Sequence, residues 1–81
     1  MMEERIRGKD IMGKTVVSKE GRKFGSVGDV TFDPTTGELL KLVLTNATQY
    51  AKNLLGSEMR VPFSAVVSIG DFVIVSEEDL V

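Results

Sequence analysis

The sequence contains no cysteine, no histidine and no tryptophan. Without cysteine there is no disulfide and no thiolate nucleophile. Without histidine or cysteine the usual zinc sites and histidine-based acid–base catalysis are excluded. Carboxylates, lysines, hydroxyls and a single tyrosine are what remain for chemistry. No catalytic set, no cofactor site and no metal site is therefore expected. Nor does any apolar run approach the ~20 residues of a spanning helix, so direct membrane insertion is not expected. The opening "MMEERIRGKD" is charged and lacks the apolar centre of a secretory signal, which points to a cytoplasmic protein.

Excess charge is also small. Ten Lys and Arg face twelve Asp and Glu, a net charge of −2, which argues against general nucleic-acid binding. Its distribution is uneven. Residues 1 to 25 carry seven basic and four acidic side chains, net +3, and residues 26 to 81 carry three and eight, net −5. Lys14, Lys19, Arg22 and Lys23 form a candidate basic edge, with Phe24 the only aromatic beside them and so no stacking platform for bases. At 81 residues the chain fits one domain. The boundaries read as an N-terminal arm at 1–11, a domain at 12–76 and an acidic tail at 77–81.

Hydrophobic content is 42%, enough for a core, and its periodicity is mostly that of strands. "TVVS" is a short strand, "KEGR" a turn, and "KFGSVGDVTFD" a longer strand interrupted by Gly25 and Gly28. Val27 joins the face of Val30 and Phe32 only if one residue is inserted, so a bulge is expected there. "DPTTGE" is a turn with Asp33 at its first position and Pro34 at its second. In "LLKLVLTN", Leu40, Leu42 and Leu44 share one face, while Leu39 and Val43 flank Lys41 on the other. "NATQYAKNLLG" then changes period. Ala47, Tyr50, Ala51, Leu54 and Leu55 fall on one face of a short helix near 47–55, with Asn46 the expected N-cap, Gln49 the capping-box partner and Gly56 the C-cap. Pro62 marks an edge strand or a corner, and "FSAV" a single helical turn. Six short, glycine-bent strands and one short helix describe a mainly β chain that curls into a small barrel.

The last hairpin, "VVSIGDFVIV", has almost no polar face. A two-residue turn at Gly70-Asp71 pairs Ile69 with Phe72 and Val67 with Ile74 on one face. It gathers Val66, Val73 and Val75 with Ser68 on the other. One face belongs to the core, and the second needs a cover. Val66, Val73 and Val75, adjoined by Leu39 and Val43, are the expected interface for a second copy or a protein partner. The alternative cover is the chain's own helix near 47–55. Phe63 and Tyr50 are candidate aromatic anchors for a partner surface.

Three further patterns carry little. "GKDIMGKT" matches the phosphate-loop spelling, but no apolar strand precedes Gly8 and no helix is expected after Thr15. Asp29, Asp33 and Glu38 are better read as turn and solvated residues than as a cation site. Glu77, Glu78 and Asp79 are likewise an acidic tail before they are a chelating set.

Over roughly residues 12 to 76 the sequence resembles the PRC-barrel domain family. The resemblance rests on Gly13-Lys14 opening the first strand, Gly21 in the first turn, and Gly25, Val27, Asp29 and Val30. It continues through Asp33, Thr36 and Gly37 to Val61-Pro62-Phe63, Val66 and Gly70-Asp71. It implies a six-stranded barrel of the kind in the reaction-centre H subunit and the C-terminal domain of the ribosome maturation factor RimM. It implies an interaction module and no catalytic residues. Neither the membrane helix of the first nor the N-terminal barrel of the second is present in this sequence. The size is most similar to archaeal single-domain members. Some of these are cell-division adaptors that self-associate and bind SepF, the membrane anchor of the FtsZ ring. The resemblance thus implies a homodimeric adaptor recruited to the division site by a SepF-type partner. An RNA- or ribosome-associated role of the RimM type is the alternative.

Overall fold

A computed structural model describes residues 8–80. It begins with a single helical turn, α1 (Gly8–Ile11), followed by β1 (Thr15–Ser18), β2 (Lys23–Phe32) and β3 (Leu39–Thr45). Helix α2 (Gln49–Leu55) and a 3-10 turn at Gly56–Glu58 lead to β4 (Arg60–Pro62). A 3-10 turn at Phe63–Ala65 joins β4 to β5 (Val66–Ile69), β6 (Phe72–Val75) follows, and a last 3-10 turn covers Glu77–Asp79. Among the described residues the six strands and the short helix α2 match the expectation, and the helical turn α1 is additional.

The strands form one sheet in the order β4-β3-β2-β1-β6-β5. All neighbours are antiparallel except β1 and β6, which run parallel. The two outermost strands, β4 and β5, share no ladder, so hydrogen bonds do not close the barrel. Chain connectivity closes it instead. Pro62 and Val66 are four residues apart, and the extended chain between them reaches at most about 14 Å. The sheet must therefore curl until its first and last strands meet at a corner. Ala65, in that corner, is fully buried.

Curling needs local breaks in the long strands. The β2–β3 ladder slips between Val27 and Asp29, where the expected bulge falls at Gly28. Gly25 sits at φ +150°, and a Cβ there would lie 2.9 Å from the Thr45 carbonyl oxygen. A Cβ on Gly28 would lie 2.9 Å from the Thr45 Cβ. Both glycines thus let β2 press against the end of β3 where the sheet bends. The turn of the β2–β3 hairpin is held by Asp33. Its N–H donates to the Glu38 carbonyl at 2.8 Å, and its Oδ1 accepts from the Thr35 and Thr36 N–H groups. Asp33 is therefore occupied by turn chemistry, as expected.

The core gathers Ile11, Val16, Phe24, Val27, Leu42, Leu44, Ala51, Val61, Ala65, Val73 and Val75. Three boundaries shift with it. Ile11 is buried, so the domain starts before residue 12 and the end of the expected arm belongs to the core; residues 1–7 of that arm lie outside the described residues. Leu80 packs against the core, so the acidic segment is a structured turn and no loose tail. Helix α2 starts at Gln49 and is capped by Thr48, whose hydroxyl accepts from the Ala51 N–H and donates to the Lys23 carbonyl. Asn46 does not cap it; it takes the left-handed conformation at φ 51°. Gln49 bonds to Asn53 and closes no capping box. Gly56 does close the helix, its N–H donating to the Lys52 carbonyl.

Replacing Gly25 or Gly28 by Ala is expected to cost about 1–3 kcal/mol, the usual range for an overpacked site. Gly25→Ala is expected to be the worse, because its obstacle is backbone while that of Gly28 is a side chain. The urea midpoint of each variant measures this.

Candidate interaction surface

Which face of the last hairpin turns outward decides what a partner can touch. β1 and β6 are aligned Thr15 to Phe72, Val16 to Val73, Val17 to Ile74 and Ser18 to Val75. Partners in a ladder share a face. Val16, Val73 and Val75 are completely buried, so this row faces the core. The alternate row, Thr15, Val17, Phe72 and Ile74, faces out. On the far side of β6, Val66 pairs with Val75, Ser68 with Ile74 and Ile69 with Val73. Val67 is the extra residue of a bulge and is 54% exposed; Phe72 is 51% exposed.

The expected interface is therefore inverted. Val73 and Val75 are core residues and unavailable to any partner. Val66 and Leu39 are half-buried and pack against the core. Val43 is also half-buried, aligned between Asp29 of β2 and Arg60 of β4. The outward apolar surface consists instead of Val17, Val67, Phe72 and Ile74. Helix α2 does not provide its cover. It packs against β2, with Ala51 buried and the Tyr50 ring edge-on to Phe24 at 5.7 Å. Of the two candidate anchors, Phe63 is half-buried at the corner and Tyr50 is engaged within the chain.

The basic edge separates into two pairs. Lys14 Nζ donates to the Gly70 carbonyl at 2.6 Å, tying β1 to the turn of the last hairpin. The Arg22 guanidinium lies over the Tyr50 ring at 5.0 Å and donates to the Tyr50 hydroxyl at 3.0 Å and to Glu77 at 3.1 Å. Lys19 and Lys23 are exposed. They flank the outward apolar surface, Lys23 being the β2 neighbour of Val17.

Arg22, Tyr50 and Glu77 form a three-way contact between the β1–β2 turn, helix α2 and the C-terminal 3-10 turn. Composition did not single it out, because the three residues are far apart in sequence and each reads alone as a surface side chain. The Tyr50 hydroxyl also donates to Glu77 Oε1 at 2.5 Å. That bond, aided by the Ser18 hydroxyl and the Arg22 charge, holds the Glu77 carboxyl below its ordinary value of 4.5 despite partial desolvation. The same bond, together with desolvation, raises Tyr50 above its ordinary 10.0 against the opposing pull of Arg22. The cluster is a clasp between three separate parts of the chain. Because Glu77 titrates lower when folded, its stabilisation is complete above about pH 4.5 and is lost as pH falls through the lower folded value. Thermal melts across this acid range are expected to show the loss in the wild type. Tyr50→Phe should move it to higher pH, and Glu77→Gln should remove this component.

Among the described residues no helix is long and apolar enough to cross a membrane, and no three carboxylates converge on a common point. No curated protein matches the chain. Comparison with protein-family profiles matches residues 3–80 to the PRC-barrel domain. The match takes in the glycine-bent strands, the corner at Pro62 and the last hairpin described above. This chain belongs to the PRC-barrel domain family, whose members mediate protein interactions.

Proposed function

We propose that this chain is a non-enzymatic, cytoplasmic adaptor that binds a protein partner and a second copy of itself. One observation carries the reading. The outer face of β1, β6 and β5 presents Val17, Val67, Phe72 and Ile74 together, with Val67 and Phe72 about half exposed and nothing among the described residues lying over them. Contiguous apolar surface of this kind is usually an interaction site. Phe72 is the anchor, being the largest side chain and the one next to the hairpin turn. Similarity to the archaeal single-domain members supports a SepF-type membrane anchor of the FtsZ ring as the partner, with recruitment to the division site through it.

The RimM-like reading, an RNA- or ribosome-associated role, draws on Lys14 just before β1, Lys19 and Arg22 in the β1–β2 turn and Lys23 at the start of β2. Two of these four cations are already engaged, Lys14 with Gly70 and Arg22 with Tyr50 and Glu77. Only Lys19 and Lys23 are left exposed and without a side-chain hydrogen bond in the described structure, which favours the adaptor reading.

Titration with a purified SepF-type protein tests the proposal. Phe72→Glu is expected to weaken binding about thirtyfold or more, the ~2 kcal/mol of an interface hot spot. Its melting temperature should stay close to that of the wild type. Val73→Glu, by contrast, should fail to fold, because it places a charge in the core. Equal binding by wild type and Phe72→Glu, or salt-sensitive retention of RNA in place of the protein, would overturn the reading.

A further inference from the structure

The two end strands of the sheet are finished differently. β4 is three residues long, carries the exposed Arg60 and stops at Pro62, which has no N–H to offer. A short strand, a charge and a proline are devices that keep other chains off an edge. β5 reads Val66-Val67-Ser68-Ile69 and has neither charge nor proline. Among the described residues no strand pairs with it on the side away from β6.

The polar groups on that open side follow from the hairpin. The Gly70 N–H donates to the Phe72 carbonyl at 2.9 Å. Along an antiparallel ladder, bonding pairs alternate with non-bonding ones. Gly70–Phe72 is a bonding pair, so Ile69–Val73 is not, and Ser68–Ile74 is one again. The N–H and C=O of Ile69 therefore point away from β6. Val67, the extra residue of the bulge, has no partner in the ladder. Among the described residues neither Val67 nor Ile69 makes a backbone hydrogen bond to another segment.

These groups define their own ligand. Unpaired backbone donors and acceptors on an edge strand are matched by another extended backbone. Val66 and Ile69 are half-buried and pack on the core, whereas Val67 and Ser68 are exposed. A strand added here continues both rows, so its side chains on the core side must be apolar. A second copy is the poorer occupant. Two β5 edges facing each other would set bulge against bulge and lose register on both sides, while a separate segment brings no bulge of its own.

We propose that the open edge of β5 is a strand-addition site, which the protein partner enters as a short extended segment with an apolar side chain at every second position. This deepens the adaptor reading by naming what the partner presents, and rests on it. The Phe72 face, one strand further in, then flanks the added strand.

Amide exchange and a peptide selection test this together. In the free protein, exchange followed by NMR is expected to be slow at Ser68 and fast at Ile69. A display library of random octapeptides is then panned on the immobilised wild type, and the selected peptides are made synthetically. Their apolar residues should alternate, and their binding should slow exchange at Ile69. Val67→Pro should weaken that binding about tenfold, the loss expected when a peptide carbonyl is left unpaired. Proline is tolerated at a bulge, and Val66 ahead of it is already extended, at φ −81° and ψ 122°. Phe72→Glu should weaken the same peptides much less. If Val67→Pro melts early, protection of Ile69 in the wild-type complex decides alone. Slow exchange at Ile69 in the free protein overturns the proposal, because the edge is then already covered; protection that disappears on dilution identifies the cover as a second copy. A selection that returns no peptide, or peptides that bind Val67→Pro as tightly as the wild type, overturns it as well. Peptides lost with Phe72→Glu alone would leave the adaptor reading standing and remove the edge. Failure of the SepF-type titration alone would remove that partner and leave the edge.

Discussion

Everything on the surface of this molecule depends on the parallel pairing of β1 with β6. This ladder joins the first strand of the barrel to the last, and its register sets Val16 beside Val73 and Val17 beside Ile74. Shifting it by one residue would exchange the two rows, because side chains alternate along a strand. The core would then receive Phe72 and Ile74 and lose two fully buried valines. The same ladder brings the β1–β2 turn next to the C-terminal turn, through the bond from the Lys19 N–H to the Val75 carbonyl at 2.9 Å. That proximity is what lets Arg22 reach Glu77.

Closure of the barrel follows from a second, covalent constraint. Three residues between β4 and β5 leave the ends of the sheet no room to separate, and the bulges of β2 and β3 supply the bend. The clasp of Arg22, Tyr50 and Glu77 then fastens α2 and the C-terminal turn across one end. Lys14, Arg22, Asp33 and Glu77 are thus engaged within the fold. Its outer face on β1, β6 and β5 presents Val67 and Phe72, each about half exposed.

Most of the fold was legible in the sequence because local signals agreed. The odd position of Val27 required a bulge, Gly25 and Gly28 marked the bend, Asp33 and Pro34 marked the turn, and Pro62 marked an edge strand. The outward face of the last hairpin was not legible, and Ser68 shows why. A two-residue turn groups Ser68, the only polar side chain of either strand, with Val73 and Val75, so that this face reads as the outer one. The hairpin in fact aligns Ile69 with Val73, and Ser68 goes with Ile74. Ser68 does mark the outside, but its companions are different. With both faces apolar, hydropathy could not decide between them, and the decision lies in a parallel pairing with β1 that no local pattern announces. Asn46 misled for a related reason. Its type suits a helix cap, yet Thr48 fills that role because its hydroxyl also reaches the Lys23 carbonyl on β2. The Arg22 clasp left no sequence signal, since a long-range contact of three isolated side chains has no spacing to read.

The central claim is that the Phe72 row, and not the Val73 row, faces solvent. It is tested most directly by methyl NMR with a soluble paramagnetic cosolvent, which broadens exposed methyl groups and spares buried ones. The account predicts strong broadening at Val67, measurable broadening at Val17 and Ile74, and none at Val73 and Val75. Broadening at Val73 and Val75 with protection at Val67 and Ile74 would contradict it, and would return the interface to the face that is buried here.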